Sequence, residues 1–481
     1  MGIPELRSTI EACEEIIPIA QLAEQHYRDK GRPLKIAIDE ADWRFNNVSP
    51  QQVAAIRRSV PEANPVEKAM FYRICNLLTA NVELVFVFDG PCVPAKHGRP
   101  AGGRKVSPKD RELLKETLKH FGIPAIDAPG EAEAECCHLA QLGIVDAVWS
   151  QDSDCLMFGC QLWLRDDRIP REAGYDNRNK GHTKKAAKTV RVVRADILSS
   201  KHRLRREGCV LFAMLAGGDY DRIGLARCGA ATALKAAQSG LGVNLCNAKS
   251  QEDCDKWKTR VLLPFFKREN IQIVVPVAFP KFSTLQSYNR PNVLSDASVL
   301  ENPELAQSSR RSINEVELLK VTSHRYNTWG KGYMDWVVPT LLTRTLADMD
   351  DYTSHELVHQ IQLVQTRKKQ GDNSMPLERK ITFSPFSLTK LRQLVFEGLM
   401  PGYWCNKPKK SNEPKKPLFE PNYRVECEIP TYLLRKVVPP EILDLAPTVA
   451  KGESRKRKVD TQASNRGSKI ARKNTITIDL T

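Results

Sequence analysis

Three short apolar runs near the start of the chain are each followed closely by acidic residues. The runs are Leu34–Ile38, Val82–Phe88 and Ile144–Trp149, all rich in valine, isoleucine or phenylalanine. Continuous apolar runs of this length are typical of strands buried on both faces of a parallel sheet. We therefore predict three central strands. The acidic residues that follow them are Asp39, Asp89, and the pair Asp152 and Asp154.

Segments with apolar residues at helical spacing separate these runs. The segment "NPVEKAMFYRICNLLTAN" lies between the first two, and "SPKDRELLKETLKHFG" and "GEAEAECCHLAQLG" lie between the second and third. This alternation of strands and helices predicts an α/β domain, in which sites form beyond the carboxyl ends of the strands. We therefore expect the aspartates that follow the strands to meet at one edge of one sheet.

The stretch "DAPGEAEAECC" places three glutamates at alternate positions. Carboxylates in the first turn of a helix are favoured by its dipole, which explains part of this pattern. Glu131 and Glu133 begin the helix that leads to the third strand, so they can face the same edge as the aspartates. Asp219 adds a further carboxylate after the apolar segment "LFAMLAGG". Glu135, one turn beyond Glu131, is expected either to support these residues from behind or to be solvated.

A cluster of like charges is stable only when positive charge lies among them. The absence of histidine and cysteine from this set indicates a hard cation, Mg²⁺ or Mn²⁺. Two such ions about 4 Å apart suit in-line displacement at phosphorus. The residues expected to bind metal and to act in catalysis are Asp39, Asp89, Glu131, Glu133, Asp152, Asp154 and Asp219.

Composition indicates a polyanionic partner. The 481 residues include 73 Lys and Arg against 57 Asp and Glu, a net charge of +16. Such an excess suits nucleic acid or an anionic membrane surface. No apolar run approaches the roughly 20 residues that span a bilayer, so no membrane partner is expected. The 13 cysteines contain no Cys-x-x-Cys pair, which argues against a zinc or redox motif and fits a reducing compartment.

Six motifs occur in order along the first 220 residues: "MGI", "AIDEADW", "VFVFDGP", "APGEAEAECC", "SQDSDCLMFG" and "AGGDYD". Together they resemble the XPG/flap-endonuclease superfamily of structure-specific nucleases, and within it the fungal Gen/Yen-type Holliday junction resolvases. The resemblance implies a PIN-like parallel-sheet nuclease domain with a helix-two-turn-helix region at about residues 220–272. It also implies cleavage of one DNA strand near a junction or flap by two metal ions. The seven carboxylates named above match the metal-binding positions of the superfamily.

Two features favour the junction resolvases over the flap endonucleases. The segment "GPCVPAKHGRPAGGRKVSPKD" after Asp89 is short and basic, unlike a long helical arch that threads a single strand. Its expected phosphate contacts are Lys96, Arg99, Arg104 and Lys105, the alternative being a solvated loop. The region 356–447 resembles the chromodomain that those resolvases append, with "QIQLVQTRKK" and "ERKITFSPFSL" as paired strands and "VECEIPTYLLRKVV" as a strand that runs into a short helix. We expect this module to bind DNA backbone, the alternative being a small packing domain.

Further DNA contacts are expected from the amino terminus and from the loop after Asp219. They are Gly2, Gly224, Arg227 and Gly229. The chain departs from the superfamily at both places, because Glu5 replaces a glycine and Arg227 replaces the first glycine of a Gly-x-Gly. Such a loop binds the duplex backbone through its amides, often with a monovalent cation. Arg227 either supplies the charge of that cation or marks an altered loop, and both interpretations stay open.

We divide the chain into a nuclease catalytic domain at 1–350, a chromodomain-like α+β module at 356–447 and a disordered basic tail at 448–481. The stretch "RDDRIPREAGYDNRNKGHTKKAAKTVRVV" is expected to be a mobile basic insertion or a solvated loop. In the tail, "RKRK" and "KIARK" resemble a two-part nuclear localisation signal, with nonspecific DNA tethering as the competing interpretation. The terminal "TITIDLT" resembles a SUMO-interacting motif.

The leading hypothesis is a nuclear endonuclease that depends on two Mg²⁺ ions, with Mn²⁺ as a substitute, and resolves four-way junctions and cuts 5′ flaps. We expect a dimer on the junction and a monomer otherwise. One alternative is a flap or excision-repair endonuclease that does not resolve junctions. The other is a module that binds branched DNA without cutting it.

Overall fold

The computed structural model describes residues 6–96, 106–167, 189–306, 311–349, 360–364, 376–391, 422–439 and 443. Contacts within the chain divide it into two compact units, Met1–Thr328 and Trp329–Thr481. Among the described residues, no helix combines the length and the apolar character that crossing a bilayer requires.

The first unit contains a seven-stranded mixed sheet. Its strands are β1 (Glu15–Pro18), β2 (Leu34–Asp39), β3 (Val82–Phe88), β4 (Ala125–Asp127), β5 (Ala147–Trp149), β6 (Leu162–Asp166) and β7 (Thr189–Arg194). Their order across the sheet is β1-β7-β6-β5-β2-β3-β4. The strands from β6 to β4 run parallel, while β7 and β1 pair antiparallel at one side. The predicted α/β fold with a parallel centre is confirmed.

Sixteen helices of the described residues accompany this sheet. They are α1 (Arg7–Glu11), α2 (Ile19–Lys30), α3 (Glu40–Asn47), α4 (Pro50–Ser59), α5 (Pro65–Thr79), α6 (Pro108–Phe121), α7 (Ala132–Gln141), α8 (Ala195–His202), α9 (Arg206–Ala216), α10 (Ala230–Gln238), α11 (Leu241–Cys246), α12 (Gln251–Trp257), α13 (Leu263–Arg268), α14 (Phe282–Asn289), α15 (Asp296–Leu300) and α16 (Glu315–Tyr326). A π-helical turn, Lys258–Leu262, joins α12 to α13.

Both faces of the central strands are covered. Ala37 of β2 and Val85 of β3 lie in the same buried cluster as residues of α7 and α9. On the other face, Phe86 packs edge-to-face against Trp43 of α3, with ring centroids 5.5 Å apart. Because neither face meets water, these strands are apolar at successive positions rather than at alternate ones, apart from Lys35 and Glu83 near their amino ends. The carboxyl ends are the places where their polar residues can collect.

Two expectations about strands need correction. The third predicted strand begins at Ala147 rather than Ile144, because Ile144 is buried in the turn that follows α7. The prediction of a charged insertion or solvated loop is wrong at both ends of that stretch, where the residues belong to β6 and β7. There Arg165 and Arg191 both pair with the buried carboxylate of Glu14, the second at 3.0 Å. The alternation in "TVRVVR" signals β7, and residues 168–188 lie outside the described residues.

The second unit contains a long helix and a small sheet. Its elements are α17 (Gly330–Asp348), β8 (Gln362–Leu363), β9 (Glu378–Phe383), β10 (Val425–Pro430) and α18 (Thr431–Leu434). The strands pair antiparallel in the order β10-β9-β8. This confirms the predicted pairing of two strands and the strand that runs into a short helix. α17 contacts β10 and α18, so the structure groups it with this unit. The predicted tail, 448–481, lies outside the described residues.

Candidate metal centre

The carboxyl ends of three neighbouring parallel strands bring the first acidic residues together. Asp39 ends β2 and lies level with Val87 of β3. Asp89 follows β3 directly, and its Oδ1 accepts a hydrogen bond of 2.9 Å from the backbone N–H of Ala132. That N–H is the first of α7, so the end of β3 is held against the start of the helix that carries Glu133. The predicted convergence at one edge is confirmed for these residues.

Three further carboxylates form a compact group beside them. One carboxylate oxygen each from Asp152, Asp154 and Asp219 lies within 4.8 Å of the others. Asp154 is fully buried, and among the described residues neither of its carboxylate oxygens has a hydrogen-bond partner. A buried carboxylate without donors is unfavourable unless a cation binds it. These residues therefore fit a divalent cation, and an all-oxygen set suits Mg²⁺ or Mn²⁺.

Lys96 lies inside the carboxylate cluster. Its Nζ is 2.5 Å from the carboxylate of Glu131, 3.0 Å from that of Glu133 and 3.5 Å from that of Asp219. The side chain is only 8% exposed. From the sequence, we expected this lysine to contact phosphates from a surface loop. In the structure its charge points inward, towards the same residues that are expected to bind metal.

Burial and mutual repulsion both raise the pKa values of these acidic groups, and the charge of Lys96 opposes them. Burial raises the pKa of Asp89 to about 6, with the charge of Glu133 adding to the effect. Burial and the same neighbour raise the pKa of Glu131 to about 8. Burial alone would also raise the pKa of Glu133, but the ammonium of Lys96 lowers it below its usual value. Asp154, buried beside Asp152, has a pKa well above its ordinary range. Such a site loses protons readily only when cations replace them.

Tyrosine and serine side chains that were not predicted from the sequence hold these carboxylates in place. The Tyr220 hydroxyl donates a hydrogen bond to Glu131, and its ring packs against Tyr288 with centroids 4.5 Å apart. The hydroxyl of Tyr288 accepts a hydrogen bond from the backbone N–H of Tyr220. Ser150 donates to Asp39 at 2.9 Å. Tyr220 lies within the motif "AGGDYD" and was available to inspection, whereas Tyr288 follows 68 residues later with no local signal.

Glu135 supports the structure near the site and is not solvated. It is fully buried, and its carboxylate accepts a hydrogen bond of 2.8 Å from the backbone N–H of Leu294. Its other oxygen lies 3.3 Å from Nδ1 of His138. The Nε2 of His138 lies 2.9 Å from Asp296. Glu135 therefore ties α7 to the segment before α15.

The loop after Asp219 requires a glycine at one place and tolerates an arginine at another. Gly224 has a φ of +58°, and a Cβ there would lie 2.5 Å from the backbone nitrogen of Gly217. Arg227 also has a positive φ, 65°, with its side chain exposed. Gly229 precedes α10 with an ordinary φ of −72°. The loop thus keeps a left-handed backbone where arginine replaces glycine. The other expected DNA contacts, Gly2, Arg99, Arg104 and Lys105, lie outside the described residues.

Comparison with known proteins shows which class this chain resembles. The family model of the XPG I-region matches residues 122–219. Flap endonuclease 1 of Pyrobaculum islandicum is 29% identical over 197 residues, which cover 34% of this chain and 55% of the relative. Flap endonuclease GEN of Drosophila melanogaster is 26% identical over 253 residues, covering 47% of this chain and 32% of the relative. The chain thus spans a third to just over half of these curated relatives.

A solved structure extends the likeness beyond the I-region. It is the Holliday junction-resolving enzyme GEN1 in complex with product DNA and Mg²⁺, at a TM-score of 0.66 and 28% identity, covering 92% of this chain and 98% of that chain. The matched I-region and the likeness in fold are both to proteins of the XPG/flap-endonuclease class. Within that class, the matches confirm the resemblance to nucleases of the GEN type.

Proposed function

We propose that this protein is a Mg²⁺-dependent, structure-specific DNA endonuclease that hydrolyses phosphodiester bonds at four-way junctions and at 5′ flaps. The observation that carries the proposal is the carboxylate cluster at the sheet edge, where Asp154 is buried and both its oxygens are unpartnered within the part of the chain that the structure describes. An arrangement of this kind is unfavourable without cations. The similar GEN1 structure, which contains product DNA and Mg²⁺, supports the same assignment.

The seven carboxylates divide into two groups of ligands. Asp39, Asp89, Glu131 and Glu133 would principally hold one ion, and Asp152, Asp154 and Asp219 the other. When bound, the metal ions activate water and neutralise the charge that builds on the phosphate. Mn²⁺ suits the same oxygen ligands and is the expected substitute.

The protein's own contribution is to hold the ligands in place before metal and DNA arrive. Ser150 and the backbone N–H of Asp42 occupy one oxygen each of Asp39, at 2.9 Å and 3.1 Å. The Tyr220 hydroxyl, 89 residues further along the chain, holds the carboxylate of Glu131 by a hydrogen bond. Ligands fixed by such hydrogen bonds need little reorganisation, which favours catalysis.

Duplex DNA would be held by the loop that follows the metal ligands. Gly224 and Arg227 lie within ten residues of Asp219. The loop that would hold the DNA backbone is therefore close in sequence to a proposed metal ligand. The exposed Arg227 is proposed to add a cationic contact to the amides of this loop. The net charge of +16 supports strong, salt-dependent attraction of DNA.

Two substrates and one non-enzymatic function need to be separated by experiment. Cleavage of matched four-way junctions, 5′ flaps and linear duplexes with Mg²⁺ tests all three. The likeness to GEN1 over 92% of this chain favours junction cleavage. Cutting of flaps alone would assign the protein to the flap or excision-repair endonucleases. Equal binding with and without Mg²⁺, and no cleavage, would leave a branched-DNA binding module.

The second unit is proposed to be a chromodomain-like module that contacts DNA backbone. Its antiparallel sheet of β8, β9 and β10 followed by α18 supports this. Removal of residues 356–481 should then weaken junction binding and leave the other properties of the cleavage reaction unchanged. Unchanged affinity after this truncation would favour a packing domain.

The tail and the oligomeric state remain proposals from sequence. "RKRK" and "KIARK" support nuclear localisation, which substitution of these residues in a fluorescent fusion should abolish. "TITIDLT" supports SUMO binding, which a pull-down with SUMO tests. Paired cuts in a junction require two active sites, and light scattering with and without junction DNA tests the expected dimer.

A further inference from the structure

Lys96 has a position that its proposed DNA contact does not explain. Its ammonium lies within 3.5 Å of three carboxylates, those of Glu131, Glu133 and Asp219. It also lies 5.6 Å from the centroid of the Tyr220 ring. Its side chain is only 8% exposed, so the ammonium is almost completely shielded from water. It bridges both proposed ligand groups, since Glu131 and Glu133 belong to one and Asp219 to the other.

An ammonium in this place and divalent ions on the same carboxylates exclude one another. The oxygens that Lys96 contacts at 2.5 Å and 3.0 Å are those that a cation would bind. Like charges at such separations repel strongly in a buried site. Lys96 lies between β3 and α6 and belongs to neither element, so its side chain can leave the cluster without breaking a strand or a helix.

We propose that Lys96 is an internal counter-ion of the metal-free site, and that divalent metal binds by displacing it. The displaced ammonium then lies at the edge of the site, where an approaching phosphate is the next available anion. This inference rests on the proposed metal centre. It adds that Lys96 and the metal ions compete for the same carboxylates.

The test is chemical labelling of lysine in the purified full-length protein without DNA. A short pulse of an acetylating reagent is applied with a chelator or with Ca²⁺, which serves as a non-catalytic probe metal, and each lysine is quantified by mass spectrometry. Acetylation of Lys96 should rise about tenfold or more when Ca²⁺ is added, because a protected amine becomes open. Lys115, paired with Asp127 at 2.7 Å outside the cluster, is the internal control and should not change.

Calorimetry with Ca²⁺ on the same samples separates the possible failures. If Ca²⁺ binds and Lys96 stays protected, the displacement is wrong while the metal centre stands. If no Ca²⁺ binds, the metal centre itself is wrong and the inference falls with it. In the Asp154→Asn protein, weakened Ca²⁺ binding should leave Lys96 protected at the same Ca²⁺ concentration.

A substitution gives a second, independent measure of the competition. Lys96→Met keeps the length and the apolar stem but removes the charge, so the affinity for Ca²⁺ should increase about tenfold at mildly alkaline pH. Lys96→Arg keeps the charge and should bind Ca²⁺ like the unmodified protein. An affinity of the methionine variant at or below that of the arginine variant would overturn the proposal.

Discussion

Replacing Asp154 by asparagine should stabilise the metal-free protein and abolish its response to metal. Asp154 is fully buried beside Asp152, and its two carboxylate oxygens have no hydrogen-bond partner in the described ranges of the chain. Asparagine has almost the same shape, carries no charge, and brings an amide that can donate to a neighbouring carboxylate. The substitution therefore removes the repulsion without opening a cavity.

The size of the effect follows from the burial of the group. An unpartnered buried polar group costs about 1–3 kcal/mol, and more when it is charged. We expect Asp154→Asn to raise the free energy of unfolding of the metal-free protein by about 1–3 kcal/mol, or a few degrees in Tm. Mg²⁺ at about 100 times its Kd should stabilise the unmodified protein by about 2.7 kcal/mol. The variant should lose most of that gain.

Thermal unfolding followed by circular dichroism, with chelator or with Mg²⁺, measures the stability of the metal-free protein and its increase when Mg²⁺ binds. Asp127→Asn is the matched control, since its carboxyl group is 55% exposed and pairs with Arg111 and Lys115 outside the cluster. This control should keep the full response to Mg²⁺. A lower Tm of the metal-free Asp154→Asn protein, or an undiminished response to Mg²⁺, would refute the reasoning.

Three further predictions concern the same region. Because burial raises the pKa of Asp89 to about 6 and that of Glu131 to about 8, both must lose protons to bind metal. Both values exceed the pKa of a free carboxyl, about 4, so Ca²⁺ affinity should rise and the metal-free protein should lose stability as the pH increases from about 4 to about 8. Calorimetry and melting curves measure these two profiles, and a flat profile would contradict the prediction. Tyr220→Phe removes the hydrogen bond to Glu131 and should weaken Ca²⁺ binding about fivefold to tenfold without changing the circular dichroism spectrum. Glu135→Ala leaves the part-buried N–H of Leu294 without its carboxylate partner, so it should lower the free energy of unfolding by about 1–3 kcal/mol. The affinity for Ca²⁺ should not change. A loss of affinity would make Glu135 part of the metal centre.

The positions of the strand-end carboxylates were predictable because burial on both faces leaves an unmistakable pattern. Every residue of β2 is buried, so the first charged residue after Ile38 marks the edge of the sheet. Parallel neighbours then align their ends, which is why Asp39 and Asp89 could be assigned to one site. The same reasoning placed the start of β5 too early, because apolar residues also fill the buried turn before it.

Contacts made by distant or irregular segments left no comparable pattern. Tyr288 lies on α14 and reaches the loop of Tyr220 only after the chain has passed through several helices. Lys96 was expected at the surface because lysines outside regular elements usually are. Its inward position depends on the combined charge of the cluster, which no local pattern of residues reveals.

Cleavage of a four-way junction by the purified full-length chain tests the central claim most directly. Each arm is labelled in turn, Mg²⁺ starts the reaction, and an Asp152→Asn/Asp154→Asn protein is run alongside. The account predicts symmetrically paired cuts in two opposing strands, with Mg²⁺ required and the variant inactive although it still binds the junction. Junction binding without cleavage by the unmodified protein, or undiminished cleavage by the variant, would contradict it.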